Sequence, residues 1–168
     1  MSSLTQERLK ELLHYDPETG AFVWKVNRGP LKAGATAGTL NNGYIRIRVD
    51  KKLDYAHRLA WLYMTGESPE QHIDHRDGNR TNNKWVNLRL ATLSENNRNV
   101  GLQRNNTSGA KGVTRNGKHG WMAQVVHNRQ HHYLGTFRSV AEAAAAALRA
   151  RNALHGEFAN NGGSHAHP

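Results

Sequence analysis

Two periods of hydrophobic and polar positions divide this chain. Leu9, Leu12 and Leu13 recur at helical spacing behind Ser3 and Gln6, a capping-box pair, so a short amphipathic helix is expected at the start. The turn-forming run DPETG (16–20) follows, then AFVWKV (21–26), which reads as a strand. Residues 28–43 carry four glycines and read as a loop. The period then becomes two. Tyr44, Arg46 and Arg48 fall on one face and Ile45, Ile47 and Val49 on the other, a half-buried strand with two arginines toward solvent. Helical spacing returns in AHRLAWLYMT (56–65) and stops at Gly66. After a polar stretch, NLRLA (87–91) is a short strand, and a helix begins near Thr92 or Ser94, either of which can cap it. Residues 102–110 are polar and rich in Asn and Gly, the best linker in the chain. Beyond it the pattern gives three strands separated by turns. A helix then follows that is capped by Ser139 and Glu142, runs through an alanine stretch and ends at Gly156. Residues 160–168 are expected to be disordered.

Charge narrows the partner. Lys plus Arg number 23 against 13 Asp plus Glu, a net of +10. A chain this basic is expected to meet a polyanion, nucleic acid first and an anionic membrane second. No apolar run approaches the roughly 20 residues of a membrane span, which sets the membrane aside. The chain has no cysteine, which excludes disulfides and thiolate zinc sites. The N-terminus lacks the apolar segment of a signal peptide, so a cytoplasmic protein is expected.

The polar stretch HIDHRDGNRTNN (72–83) contains what phosphodiester cleavage requires. A histidine supplies a base that is neutral near pH 7, and carboxylate and amide oxygens supply hard ligands for Mg²⁺ or Mn²⁺. Asp74 and His75 are neighbours, so on a strand they point to opposite faces and take separate tasks. The following helix offers Asn96, Asn97 and Asn99 as further oxygen donors. Asp77, Gly78 and Asn79 read as turn formers, Asn82 and Asn83 as partners of the loop backbone, His72 as a solvated neighbour and His57 as a satisfied buried histidine.

IDHRDGNRTNNKWVNLRLATLSENNRN resembles the HNH nuclease motif, in the form found in phage and intron-encoded homing endonucleases. The Asp-His pair, DGN, the NN pair, NLR and EN occur in order, over about residues 55–100, and the upstream segments YDPETGAFVWK, GYIRIRVDKK and YAHRLAW resemble the N-terminal part of the same nucleases. The resemblance implies a ββα-metal fold with His75 as general base and Asn87 pinning the loop and orienting His75. It makes Asp74 and Asn96 the metal ligands, and Asn96 in place of a histidine points to a Mg²⁺-type site rather than zinc.

The last third resembles the DNA-binding domain of plant ethylene-response factors, a three-stranded sheet on one helix. KGV, the W-x-A-x-V strand and YLGTF carry the likeness. Trp121, Ala123 and Val125 are expected to pack on the alanine-rich helix. The opposite face is expected to offer Thr114, Asn116, Lys118, Gln124, His131 and Tyr133 to DNA, with Lys111 and Arg115 nearby. Thr114, Asn116 and Val126 depart from the plant pattern, so that family's target sequence is not carried over.

The expectation is therefore an α+β chain in five parts: an N-terminal helix and basic strands gripping DNA (1–55), a nuclease core (56–101), a linker (102–110), a second DNA-binding module (111–159) and a tail. The expected activity is metal-dependent, site-specific cleavage of double-stranded DNA by a monomer that nicks one strand, without a small-molecule cofactor. Arg28, Arg46, Arg48 and Arg58 are expected to contact phosphates and make affinity salt-dependent. The rival readings are a DNA-binding regulator with a dead nuclease core and a non-specific phage nuclease.

Overall fold

The structure, a computed structural model, describes residues 4–99, 101–102, 105–118 and 120–161. Ser3, residues 103–104 of the expected linker and residues 162–168 of the expected tail lie outside the described residues. The chain forms two compact units, Met1–Ala91 and Thr92–Pro168.

The first unit contains α1 (Gln6–Leu12), β1 (Leu13–Tyr15), β2 (Phe22–Trp24), β3 (Thr39–Asn41), β4 (Tyr44–Val49), β5 (Lys52–Tyr55), α2 (Ala56–Thr65), β6 (His72–His75) and β7 (Leu88–Ala91). The N-cap of α1 is Thr5, whose hydroxyl accepts from the Arg8 amide at 3.2 Å. The helix is shorter than its leucine spacing suggests. Leu13 leaves it to pair with Trp24, because β1 and β2 form an antiparallel ribbon in which Leu13 and Tyr15 both face the core. The presumed loop before Tyr44 contains an edge strand, β3, closed onto β4 by Asn42 and Gly43, both at positive φ. Asn-Gly is the preferred pair for such a two-residue hairpin turn. Asp50 and Lys51, also at positive φ, turn β4 into β5, giving a sheet of order β3-β4-β5. The core joins Leu9, Leu13, Tyr15, Phe22, Ile47 and Leu59 with Ile73 and Leu88 from the hairpin of β6 and β7.

The DPETG turn anchors the polar loop. The Asp16 carboxylate accepts from the Glu18 amide at 2.9 Å and the Thr19 hydroxyl at 2.7 Å, which closes the turn. Gly20 sits at φ +75, where a Cβ would lie 2.4 Å from the Asn83 carbonyl carbon. The Trp85 amide donates to the Pro17 carbonyl at 2.9 Å, and the buried Tyr15 hydroxyl donates to the Asn83 carbonyl at 2.6 Å. Only glycine lets the two backbones approach this closely.

The second unit contains α3 (Leu93–Arg98), β8 (Val113–Asn116), β9 (Gly120–His127), β10 (Gln130–Phe137) and α4 (Val140–His155). Both of its helices open with capping boxes, Thr92 with Glu95 and Ser139 with Glu142. The sheet order is β10-β9-β8, and α4 lies on it through Ala143 and Ala147, both fully buried against Val113 and Ala123. Small side chains bring the helix backbone close to the strands. The expected tail does not start at Asn160. That side chain donates to the Asn99 carbonyl at 2.8 Å, and the Asn161 amide oxygen accepts from Arg151 at 3.1 Å, so hydrogen bonds anchor both residues. Helices and antiparallel sheets are thus mixed along the chain, in keeping with the α+β class.

Candidate active site

β6 and β7 pair antiparallel, with Asp74 opposite Arg89 and His75 opposite Leu88. Strand alternation sends Asp74 and His75 to opposite faces, and both are buried. On the Asp74 face, Arg89 Nε and Nη2 both donate to Asp74 Oδ2, at 2.8 and 2.7 Å.

On the other face, His75 Nε2 lies 3.1 Å from Asn83 Oδ1. The Asn83 Nδ2 group donates to the Thr81 carbonyl at 3.2 Å, which orients the amide with its oxygen toward the ring. An amide oxygen only accepts, so Nε2 carries the hydrogen and the lone pair is on Nδ1. Burial holds the His75 pKa below the ordinary histidine value. The Asn83 bond and the Asp77 and Asp74 carboxylates oppose the shift, and the Arg80 charge adds to it. The ring is therefore neutral near pH 7, the form a general base needs.

Asn87 acts on the loop. Its Nδ2 donates to Asp77 Oδ1 at 2.9 Å and to the Asn82 carbonyl at 2.8 Å, and its Oδ1 accepts from the Asp77 amide at 3.0 Å. Asp77 also accepts from the Asn79 amide at 2.8 Å and from Asn82 Nδ2 at 2.6 Å. These bonds make Asp77, Asn79, Asn82 and Asn87 the frame of the loop. Asn83, which the sequence suggested only as a backbone partner, makes a contact to the imidazole from this stretch.

A ring cluster that the sequence did not suggest surrounds His75. The His57 ring meets it edge to face at 5.1 Å, and Tyr44 lies 6.4 Å away. Tyr55 stacks on His57 at 5.3 Å and meets Tyr44 at 5.2 Å. Two guanidiniums flank the cluster, Arg80 over Tyr44 at 5.0 Å and Arg46 over Tyr55 at 4.8 Å. The Tyr44 and Arg46 end of β4 is therefore half-buried rather than open to solvent, whereas Arg48 is exposed. His57 is buried but not satisfied, since its Nδ1 has no hydrogen-bond partner among the described residues.

Burial, then the nearby charges of His75 and Arg58, push the His57 pKa down to about 3. In the unfolded chain the group returns to about 6.5. The unfolded state then binds the extra proton below pH 6.5, so the stability held at neutral pH is lost as pH falls from 6.5 toward 3. Between pH 7.5 and pH 5 the loss is expected to be about 2 kcal/mol. Urea denaturation followed by tryptophan fluorescence, wild type beside His57→Phe, measures it. A wild-type pH dependence matched by the variant would refute the assignment.

The remaining basic residues fall in several places. Arg58 donates to the Pro69 carbonyl at 2.8 Å, Arg48 to the Lys51 carbonyl at 3.1 Å, and Arg28 to the Arg48 carbonyl. In the second unit, Gln124, His131 and Tyr133 share the sheet face away from α4, and the Gln124–Tyr133 and Val126–His131 pairs lie side by side. Arg115 has the opposite parity, stacks on Trp121 at 5.0 Å and donates to the Lys118 carbonyl at 2.8 Å. Lys118 is exposed in the β8–β9 turn. Lys111 is partly buried beside Arg151. Asn96 lies half-buried on α3, and the side chain of Asn97 lies outside the described residues.

Among the described residues, no group of three or more His, Cys, Asp or Glu is placed to hold a metal. Asp74 offers carboxylate oxygens, a kind of ligand that suits a hard cation. At Asp74 a cation would share the carboxylate with Arg89.

The HNH endonuclease family matches residues 54–98, from the end of β5 through β6, the asparagine loop, β7 and α3. Protein 3.8 of Escherichia phage T7 is 37% identical over 106 residues, covering 61% of this chain and 86% of the phage protein. The chain belongs to the Protein 3.8 family and carries an HNH endonuclease domain. An HNH domain is a nuclease module acting on DNA, and nucleases of this family use divalent metal ions. No solved structure matches the chain. No described helix is long and apolar enough to cross a membrane.

Proposed function

We propose that this HNH protein is a metal-dependent endonuclease that nicks double-stranded DNA at preferred sites, with His75 as its general base. The observation that carries the reading is the buried, neutral His75 ring, fixed through Nε2 by Asn83, in a ring cluster whose tyrosines carry the Arg46 and Arg80 guanidiniums. His75 Nδ1 takes a proton from water as the water oxygen bonds to phosphorus and the bond to the 3′ oxygen breaks. Arg80 and Arg46, each placed over a tyrosine ring, present positive charge to phosphates, so little reorganisation is needed as charge develops. Asp74 would be a ligand of the Mg²⁺ or Mn²⁺, which supplies charge neutralisation on the phosphate and the leaving oxygen. Asn96 as a second ligand rests on the sequence resemblance alone.

The open face of the β8-β9-β10 sheet adds a second DNA contact through Gln124, His131 and Tyr133, with Lys118 and Arg115 at its rim. This module supports site preference, and a single HNH site per chain supports nicking by a monomer. Conversion of supercoiled plasmid with and without Mg²⁺ or Mn²⁺ tests the activity, and mapping cuts on random duplexes tests the preference. Plasmid that is bound but never converted, including DNA from the source genome, would favour a regulator built on a nuclease scaffold. Scattered cuts would favour a non-specific nuclease.

A further inference from the structure

β9 is the central strand of the second unit's sheet, and its outward row is Met122, Gln124 and Val126. Tyr133 pairs with Gln124 and His131 with Val126, so Val126 and Tyr133 lie diagonally across the two strands. They are 46% and 63% exposed, apolar surface left open on one face. β8, β9 and β10 contain one Lys, Arg, Asp or Glu, which is Arg115. It pairs with Trp121 and lies over that ring, on the other face. The charge stands around the outward face instead. From Asn96 to Ala141 the sequence has seven Lys and Arg and no Asp or Glu. Lys118 is exposed in the β8–β9 turn and Arg129 in the β9–β10 turn, at opposite ends of β9. A centre of amide and apolar groups between cations complements a DNA duplex, whose base edges lie between two phosphate backbones.

The same side chains select among bases. A guanine edge in the major groove shows two acceptors, which Arg or Lys reads, and this face has neither. Gln124 offers a donor and an acceptor side by side in one plane, the match to N6 and N7 of adenine. Its Oε1 lies 3.5 Å from His131 Nδ1, and an amide oxygen has a second lone pair for a base. Met122 and Val126 offer apolar groups, and the thymine methyl is the apolar group that a base shows in the major groove. The minor groove shows no methyl and is only about 6 Å wide. Alternate residues of a strand are about 6.8 Å apart, which matches two base-pair steps of about 3.4 Å.

We infer that this face reads A·T pairs in the major groove, with Gln124 on an adenine and Met122 and Val126 on thymine methyls about two base-pair steps to either side. The inference rests on the reading of this face as the second DNA contact, and it names the class of sequence that the contact prefers.

The test selects duplexes from a random library with the full chain, wild type beside Gln124→Arg, Val126→Ala and Tyr133→Ala. EDTA withholds the metal, so no strand is cut during selection. Wild type is expected to enrich a site containing A·T pairs. Gln124→Arg is expected to replace adenine with guanine at one position, a gain that an unfolded variant cannot show. Replacing thymine with uracil in the enriched duplex is expected to weaken wild-type binding about fourfold per contacted methyl. Val126→Ala is expected to narrow that difference. Enrichment of G·C pairs by wild type, or selection of the same A·T site by Gln124→Arg, overturns the inference. In either case weaker binding of every duplex by Tyr133→Ala keeps the face as a DNA contact. Unchanged affinity and unchanged selection in all three variants overturn that reading together with the inference.

Discussion

Replacing His75 with alanine is expected to lower metal-dependent nicking of supercoiled plasmid by about 10²–10⁴-fold, the contribution of a positioned general base. The ring is a neutral imidazole whose tautomer Asn83 fixes, beside a tyrosine cluster that carries two guanidiniums, and alanine keeps the strand while removing the proton acceptor. His57 does not substitute for it, because its ring is stacked on Tyr55 and its pKa of about 3 makes it too weak a base. Asn83→Ala should give a smaller loss, in turnover more than in apparent affinity, because it frees the ring to rotate without removing it. Both variants should retain duplex binding in a gel shift, since the arginines remain. Full nicking by His75→Ala would remove histidine-base catalysis from the mechanism, whatever the metal dependence.

The opposition of Asp74 and His75 was legible from strand parity alone, because a period of two fixes which face each residue takes. So were the last helix with its Ser139–Glu142 cap and, of the row Trp121, Ala123 and Val125, the packing of Trp121 and Ala123 with that helix's alanines. The imidazole partner was not legible. Asn82, Asn83 and Asn87 are chemically identical, and only the folded loop, pinned by Tyr15 and the Gly20 turn, decides that Asn83 meets the ring. The ring cluster was hidden for a similar reason. Tyr44, Tyr55 and His57 come from β4, β5 and the start of α2, and their approach to His75 is set by tertiary packing that no local period encodes. β3 and β5 were missed although Asn42-Gly43 and Asp50-Lys51 flank β4, since turn chemistry marks a hairpin even where the strand pattern is short. Charge placed arginines near DNA in general, but not Arg58 against a backbone carbonyl or Lys111 inside a cavity.

Breaking the Asp74–Arg89 pair is expected to have the largest effect on stability. Both side chains are about 5% exposed, and two guanidinium donors converge on one carboxylate oxygen. Arg89→Met removes the cation and leaves a buried carboxylate without it, at an expected cost of about 3–5 kcal/mol to the first unit. Replacing both partners with apolar side chains of similar size, Asp74→Leu with Arg89→Met, should recover most of that loss, because no buried charge then remains. Urea denaturation of the single and double variants measures both values. The pair of variants also separates the two tasks that Asp74 can have. If its carboxylate serves the metal as well as the arginine, the double variant will be folded, will bind duplex and will not nick at any Mg²⁺ or Mn²⁺ concentration. If the refolded double variant nicks like the wild type, Asp74 is only the structural counter-charge of Arg89, and the cation that the chemistry needs must be held by other oxygens.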